Sequence, residues 1–272
     1  MTTPSACPAE AAAPPRRVLV WDLPVRLFHW LAVACFAGAW LTAESERWRV
    51  VHVSLGYSLA GLVAFRLLWG LVGTRHARFA SFVRAPSAAW RYLASLARGR
   101  PEHHAGHNPA GALAIVALLA LALLTTATGW AHYQQLGGDW LAELHEGAAA
   151  TMLALVLLHV AGVVVGSLAH RENLVRAMFT GRKSAGEGEA IGRARAGVAA
   201  LLAAGVVGLW WLQWQQWQQP AGAAGAAGAP LAALEASDPP GRGALGSAGR
   251  DERAHHDKRR HAARSKRKHD DG

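Results

Sequence analysis

Residues 144–162 read LHEGAAATMLALVLLHVAG, a segment in which His145 and His159 enclose residues that are almost all apolar. The apolar run extends to about residue 170, so it reaches the roughly 20 residues that an α-helix needs to cross a bilayer. A histidine inside such a run is rare, because burial of a polar ring without a partner costs free energy. The two histidines are therefore candidate functional residues on a transmembrane helix.

Five apolar runs in the chain are long enough to form transmembrane helices. In chain order they span residues 27–42 (extended by 24–26), 51–72, 110–132, 147–170 and 194–214. Hydrophobic residues make up 52% of the chain, a composition that favours the membrane class. We predict an all-α integral membrane protein with a four-helix transmembrane bundle and a fifth, C-terminal transmembrane helix, the fifth run being the weakest of the set.

Orientation follows from the charges of the loops, because short loops rich in Arg and Lys remain in the cytoplasm. Residues 74–109 carry six arginines against the single acidic Glu102, whereas the loop before the fourth run carries three acidic residues and no Lys or Arg. We therefore predict that the 74–109 loop and the N-terminus are cytoplasmic. Within that loop, Pro86 and Ser87 followed by Trp90 predict a capped helix that lies on the membrane surface.

Composition divides the chain into a core and two ends. We predict a disordered N-terminus at 1–16, a four-helix core at 17–183, a linker and fifth helix at 184–217, and a disordered, low-complexity tail rich in basic residues and histidine at 218–272. Residues 1–15 lack an apolar core, so no secretion signal is predicted there.

Charge and cysteine content exclude several classes of protein. Residues 250–271 of the tail supply about +4 of the net charge of +10, so the basic balance does not indicate nucleic-acid binding. With two cysteines, Cys7 and Cys35, one chain cannot build a disulfide framework or a cysteine-rich zinc site. The sequence also lacks the C-x-x-C-H motif that covalent c-type haem attachment requires.

Depth in the membrane groups four histidines into two pairs. Fourteen residues separate His29 from Ala43 at the outer end of the first helix, and fourteen separate His145 from His159. At 1.5 Å per residue, each interval is about 21 Å. His29 and His159 are therefore expected at one depth toward the cytoplasm, and His52 and His145 at another depth near the outer side.

The direction in which the two side chains leave their helix supports the same grouping. Fourteen residues at about 100° each leave His145 and His159 only about 40° apart around the helix axis. Neutral imidazole is a normal axial ligand of haem iron, and facing helices of a bundle commonly hold such a cofactor. The sequence thus predicts two bis-histidine haem sites, His29 with His159 on the cytoplasmic side and His52 with His145 on the outer side.

The neighbouring residues are compatible with a flat macrocycle. Gly56 permits close approach on the second helix, and Arg26 and Arg66 are candidate partners for haem propionates. Two of these residues have an alternative role: Arg66 is also placed to extend its charge to the cytoplasmic side, and Gly56 to serve in helix packing alone. His132 is a rival to the outer-side ligands.

The histidines of the cytoplasmic loop and of the tail are predicted to be solvated or to bind metal only adventitiously. Those of the cytoplasmic loop are His103, His104 and His107, and those of the tail are His255, His256, His261 and His269.

Several segments of the sequence are similar to a known family. They are VWDLPVRLFHW at 20–30, the stretch from His52 through Gly56 and Arg66 to Gly70, LHE at 144–146 with LH at 158–159, and HRENLV with its sequel at 170–183. Together they resemble the bacterial cytochrome b561 family, which includes the cytochrome b subunits of nickel-iron hydrogenases. The resemblance covers about residues 17–183 and implies nothing about the fifth helix or the tail.

The resemblance implies a cofactor, partners and a location. It implies that two non-covalent haems b are held by His29, His52, His145 and His159, and that electrons pass between membrane quinone and a hydrogenase, dehydrogenase or cytochrome c. It also implies a multi-pass protein of the bacterial inner (plasma) membrane, surrounded by lipid. Such a protein is an electron-transfer subunit of an oxidoreductase complex rather than a stand-alone catalyst. Whether it forms a homodimer is left open by the sequence.

Two competing hypotheses remain open at this point. In the first, the chain is a small transporter or a proton or metal channel that uses its histidines, although the sequence shows no broken helix, inverted repeat or intramembrane carboxylate cluster. In the second, the chain is a membrane anchor that recruits a partner, and haem is only structural.

Overall fold

The computed structural model describes residues 16–99 and 106–218. Its elements, in chain order, are β1 (Arg16–Leu19), α1 (Leu23–Thr42), α2 (Arg49–Val72), α3 (Phe79–Phe82), α4 (Pro86–Ala97), α5 (Pro109–Tyr133), α6 (Trp140–Ala169), α7 (Leu174–Thr180), β2 (Arg182–Ala185) and α8 (Ala196–Gln218), with single 3₁₀ turns at Glu46–Trp48 and Glu187–Glu189. The segments predicted to be disordered, 1–16 and 218–272, lie outside the described residues except for Arg16 and Gln218.

Five of the helices are long and apolar enough to cross a membrane. They are α1, α2 together with the 3₁₀ turn before it, α5, α6 and α8. This confirms the predicted all-α membrane fold with a fifth transmembrane helix. The largest difference from the predicted bounds is at α6, which begins at Trp140 rather than near residue 147, so His145 lies inside the helix.

Side-chain caps fix where several helices begin. Asp22 caps α1 by accepting the Val25 backbone N–H at 2.8 Å, and Asn108 caps α5 by accepting the Gly111 N–H at 2.7 Å. Asn173 caps α7 in the same way. Such caps satisfy backbone donors that have no partner within the helix, and they hold α1 and α5 at the ends that are predicted to be cytoplasmic.

The surface helix predicted in the 74–109 loop is present as α4, but its predicted cap is wrong. Ala85 occupies the N-cap position and has no side chain that could accept a hydrogen bond, and Ser87 lies inside the first turn. Tyr92 is buried toward the bundle, whereas Trp90 and Leu93 are exposed. This division into a buried and an apolar exposed face fits a helix that lies between the bundle and the membrane surface.

The transmembrane helices pack as two hairpins with an additional helix. Helix α1 packs against α2, α5 packs against α6, α2 joins the two hairpins through α5, and α8 packs on α1 and α2. The buried residues at the centre are Cys35, Leu55, Leu59, Leu62, Val63, Ala122 and Met152. Small polar side chains are also buried on these helices, among them Ser54 and Ser58 of α2 and Thr125 and Thr128 of α5.

A short sheet joins the segments before α1 and after α7. Strands β1 and β2 are antiparallel, with Arg16 opposite Ala185 and Leu19 opposite Arg182. The Val20 and Trp21 N–H groups continue the connection by donating to the Gly181 carbonyl at 2.8 and 3.0 Å. Gly181 has φ of +77°, and a Cβ there would lie 2.6 Å from the Trp21 carbonyl oxygen, so this turn requires glycine.

A partly buried hydrogen bond connects α8 to the bundle. The Trp210 indole N–H donates to the Ser58 hydroxyl at 2.8 Å, and Ser58, which is buried on α2, donates in turn to the Ser54 carbonyl. The fifth helix is therefore attached to α2 by a specific polar contact as well as by apolar packing.

Replacing Trp210 by phenylalanine is expected to lower the free energy of unfolding by about 1 kcal/mol, because it removes the donor and leaves a buried hydroxyl short of a partner. The thermal unfolding midpoint in detergent would measure the change. Trp211→Phe is the matched control, since both tryptophans are exposed, at 47% and 62%, and it is Trp210 that donates to Ser58. Equal shifts for both variants would contradict the role given to this bond.

Candidate functional site

The two histidines predicted for the outer side lie close together in the structure, with their rings nearly perpendicular. His52 in the first turn of α2 and His145 in the second turn of α6 have ring centroids 6.1 Å apart, with an angle of 77° between the ring planes. Two imidazoles that share one metal atom at about 2 Å from each nitrogen have centroids roughly 6 Å apart. The observed separation therefore fits a single metal atom between the rings.

Backbone carbonyls set the tautomer of both rings. His52 Nδ1 donates to the Ala39 carbonyl at 2.9 Å, and His145 Nδ1 donates to the Thr125 carbonyl at 2.8 Å. Because a carbonyl oxygen can only accept, Nδ1 carries the hydrogen of each neutral ring and Nε2 keeps its lone pair. This is the arrangement that orients metal-binding histidines in proteins.

Two glycines shape the space around this pair. A Cβ at Gly129 would lie 2.7 Å from His145 Cε1 and 2.8 Å from His145 Nδ1, so α5 can approach the imidazole only because it has glycine there. A Cβ at Gly56, one turn after His52 on α2, would meet nothing within 4 Å. The predicted room at Gly56 is thus present, and Gly129 is a site residue that the sequence analysis missed.

The rival outer-side ligand is differently placed. His132 is exposed near the end of α5, whereas His52 and His145 are partly buried. A partly buried ring with its Nδ1 already anchored is the better candidate for a metal ligand.

The two histidines predicted for the cytoplasmic side lie in one region of the bundle. His159 on α6 is close enough to His29 on α1 for the two imidazoles to interact electrostatically. The ring of Trp30 packs edge-on against His29 with centroids 5.0 Å apart. His29 Nδ1 is buried and has no hydrogen-bond partner among the described residues, so this nitrogen is an orphaned polar atom that a bound group could satisfy.

The two candidate arginines have different surroundings. Arg26 Nε donates to the Met178 carbonyl at 3.3 Å, and its Nη2 donates to the Phe179 carbonyl. Arg26 thereby ties the first turn of α1 to the end of α7. Arg66 is only 2% exposed, and its Nη1 has no hydrogen-bond partner within the described part of the chain.

Asp22 organises the end of the bundle that contains Arg66, and the sequence analysis gave it no role. The carboxylate is 1% exposed. Besides capping α1, it accepts the Trp69 indole N–H at 3.1 Å and the Thr74 hydroxyl at 2.6 Å, and it interacts electrostatically with Arg66. A carboxylate at the start of an apolar run followed by proline was the signal available in the sequence, because that pattern is typical of a helix N-cap.

His107 was predicted to be a solvated loop residue, and this prediction is wrong. Its ring packs between Trp21 and Phe82, with centroids 4.5 and 4.4 Å away, and its Nδ1 is buried without a partner in the described residues. Burial, together with the positive charges of Arg66 and Lys183, lowers the pKa of His107 to about 3. The imidazole is therefore neutral at physiological pH. His103 and His104 lie outside the described residues.

Comparison with known proteins shows the family of this chain. A family profile described as "Prokaryotic cytochrome b561" matches residues 20–181, which is more than half of the chain. The chain belongs to the prokaryotic cytochrome b561 family. The matched segment contains α1, α2, α5 and α6, and with them all four paired histidines. A member of this family is a b-type membrane cytochrome that takes part in electron transport and uses haem b, and this favours an electron carrier over the transporter and channel hypothesis.

Curated relatives of this cytochrome b561 family member are similar at modest identity. The "Probable Ni/Fe-hydrogenase 1 B-type cytochrome subunit" of Escherichia coli (strain K12) is 27% identical over 142 residues, covering 43% of this chain and 60% of the relative. The "Probable Ni/Fe-hydrogenase B-type cytochrome subunit" of Azotobacter vinelandii is 28% identical over 210 residues, covering 60% and 87%. That of Azotobacter chroococcum mcd 1 is 32% identical over 152 residues, covering 45% and 63%. The chain thus spans about 60% of the length of the Escherichia coli relative. No solved structure matches the present chain significantly.

Proposed function

We propose that this protein is a di-haem b membrane subunit that carries electrons between the quinone pool and a partner redox protein. The observation that carries the proposal is the outer pair, in which the ring centroids of two imidazoles on different helices lie 6.1 Å apart and both Nδ1 atoms donate to carbonyls. The pair supports one bis-histidine haem site, and His29 with His159 supports a second on the cytoplasmic side.

The chain's own residues hold and orient the cofactor in this proposal. When bound, haem b supplies a one-electron exchange at its iron. The Ala39 and Thr125 carbonyls keep the His52 and His145 Nε2 lone pairs available as ligands, and Gly56 leaves space beside them. Apolar packing around the sites excludes water, which in b-type sites is one of the factors that sets the potential.

The arginine contacts support Arg66 as the partner of a haem propionate. Arg66 is a buried cation with an unpartnered Nη1, and a buried charge is stable only when it is paired. Arg26, in contrast, already donates to two carbonyls at the end of α7. We therefore assign the propionate contact to Arg66 and a positioning role for α7 to Arg26.

The partner that we propose is a hydrogenase, because curated relatives are described as probable Ni/Fe-hydrogenase cytochrome subunits. We also propose that this chain is a bacterial inner-membrane protein whose N-terminus is cytoplasmic, an orientation that the loop charges favour. Membrane lipid covers the outward faces of the spans, where α6 exposes several large apolar side chains; these are Leu157, Leu158, Val160, Val164 and Leu168. A homodimer through such a face remains compatible with the proposal.

Quinol-driven reduction of the protein in proteoliposomes tests the proposed exchange. Addition of a reduced quinone such as duroquinol should produce the absorption bands of ferrous haem b, and addition of the oxidised quinone to dithionite-reduced protein should reverse them. A haem-loaded sample that dithionite reduces and that no quinol reduces would contradict quinone as the exchange partner.

Gly129→Ala is expected to lower both the haem content and the free energy of unfolding, the latter by about 1–3 kcal/mol, because the added methyl group overlaps the His145 ring. Haem per chain and the thermal unfolding midpoint would measure these effects. Gly147→Ala is the matched control, since a Cβ there meets nothing within 4 Å. Full haem content in Gly129→Ala would contradict the close approach of α5 to this ligand.

A further inference from the structure

A second polar cluster lies near the cytoplasmic histidine pair, and the function described above uses only part of it. Arg66 of α2 and His107, which precedes α5, both pack against the ring of Phe82 in α3. The Arg66 guanidinium carbon lies 5.9 Å from the centroid of Phe82, and the His107 ring lies 4.4 Å from it. The two side chains are close enough to interact electrostatically.

Arg66 has room for a further anionic partner. Its guanidinium lies over the Phe79 ring at 4.8 Å, and its Nη1 is buried without an acceptor in the described residues. The nearby Asp22 carboxylate already accepts hydrogen bonds from Val25, Trp69 and Thr74. Asp22 therefore offsets part of the charge of Arg66 while its hydrogen-bonding capacity is largely used.

His107 supplies a second unpartnered nitrogen at the same place. Its ring is enclosed by Trp21 and Phe82, and its Nδ1 is buried. A neutral imidazole has one N–H donor, and beside a guanidinium, which cannot accept a hydrogen bond, that donor is best directed at a shared acceptor. Lys183, which is also within electrostatic reach of His107, adds further positive charge.

We propose that Arg66 and His107 form a two-point site for one carboxylate, in which Arg66 provides the charge and His107 provides an N–H donor. The carboxylate is a propionate of the cytoplasmic-side haem, so this inference rests on the proposed function. Its proximity to that haem follows from His159, which is within electrostatic reach of both His107 and His29. The near-complete burial of Arg66 favours a group carried by a bound cofactor over an ion from solution.

The test is a redox titration of purified full-length holoprotein, combined with resonance Raman spectroscopy of the propionate bending bands. The cytoplasmic-side haem is identified as the one that a His159→Ala variant lacks.

Arg66→Gln and His107→Leu should each shift the midpoint potential of this haem downward and move its propionate bands, with the larger potential shift for Arg66→Gln. Loss of positive charge or of a donor near the propionate stabilises the ferric form, which is the more positive one. The double variant should shift the potential by less than the sum of the single shifts, because both residues bind one group.

His76→Gln is the matched control. His76 lies in the same cluster, 6.4 Å from Trp21 between ring centroids, but its Nε2 already donates to the Glu189 carbonyl at 2.8 Å. This variant should leave the potential and the propionate bands unchanged. If Arg66→Gln does not fold, Arg66→Lys replaces it, because it retains the charge and loses the forked donors, so the propionate bands should move while the potential changes less.

Three results would overturn the inference. The first is that the propionate bands and the potential are unchanged in both single variants, and the second is that the shifts in the double variant are strictly additive. The third is that the potential of the wild type depends on added acetate at constant ionic strength, whereas that of Arg66→Gln does not. The last result would identify a free anion as the occupant. Wild-type protein without haem would instead overturn the proposed function, so the two failures are distinguishable.

Discussion

His145→Ala is expected to reduce the haem content from two haems b per chain to one, and His52→Ala is expected to remove the same haem. Each variant leaves an iron site with a single imidazole, because it removes one of two rings whose centroids lie 6.1 Å apart. Haem-to-protein ratio and the spectrum of the surviving haem would measure the effect. Replacing His29 or His159 should remove the other haem, so the four variants should give two spectra and no more.

The control for this series is His132→Ala, which should retain both haems because His132 is exposed near the end of α5. Loss of the outer haem in that variant would transfer the ligand role to His132. Loss of both haems from any single replacement, in protein that still inserts and is recovered, would contradict the pairing itself.

Asp22→Ala is expected to lower the free energy of unfolding by about 3–5 kcal/mol, because it leaves Arg66 as a buried charge with reduced compensation. It also removes the acceptor for the Trp69 indole and the Thr74 hydroxyl and the cap of α1. The thermal unfolding midpoint in detergent and the yield of inserted protein would both fall. Asp22→Asn keeps an acceptor oxygen, so its unfolding midpoint should lie between those of the wild type and Asp22→Ala.

Asp139→Ala is the matched control for Asp22. Asp139 also precedes a transmembrane helix, but it is exposed and its side chain makes no capping bond to α6. Its replacement should change the unfolding midpoint very little. A similar loss in both variants would mean that a general effect of acidic residues at helix starts, rather than the buried network, accounts for the result.

Much of the fold was predictable because the bilayer imposes a length on each apolar run. The five runs in the sequence correspond to the five spans of the structure. Their bounds were less predictable at α6, whose first turns contain Glu143 and Glu146 and are therefore polar, although hydrogen bonding extends the helix back to Trp140. Hydropathy detects the apolar segment, and a helix continues wherever its backbone bonds continue.

The outer histidine pair was predictable from helix geometry alone, since rise and twist per residue place His52 and His145 at one depth. The residues that orient these rings were not predictable, because they lie on other helices. Thr125 and Gly129 reach His145 only through the packing of α5 against α6, and no local pattern in the sequence marks that contact.

His107, on the cytoplasmic side, is a second residue whose surroundings could not be predicted from the sequence. In the sequence it is one of several histidines in a charged loop, where solvation is the expected state. In the structure, Trp21 and Phe82 from two other segments enclose its ring. Burial of a loop residue depends on which distant segments fold over it, and it becomes visible only in the assembled structure.

We propose that two pairs of histidines hold two haems b, and an alkaline pyridine haemochrome spectrum of purified, detergent-solubilised full-length protein is the test of this pairing. The spectrum identifies the haem type and, with a protein assay, gives the number of haems per chain. We expect haem b at two per chain. Folded protein from haem-sufficient cells that contains no haem would contradict it.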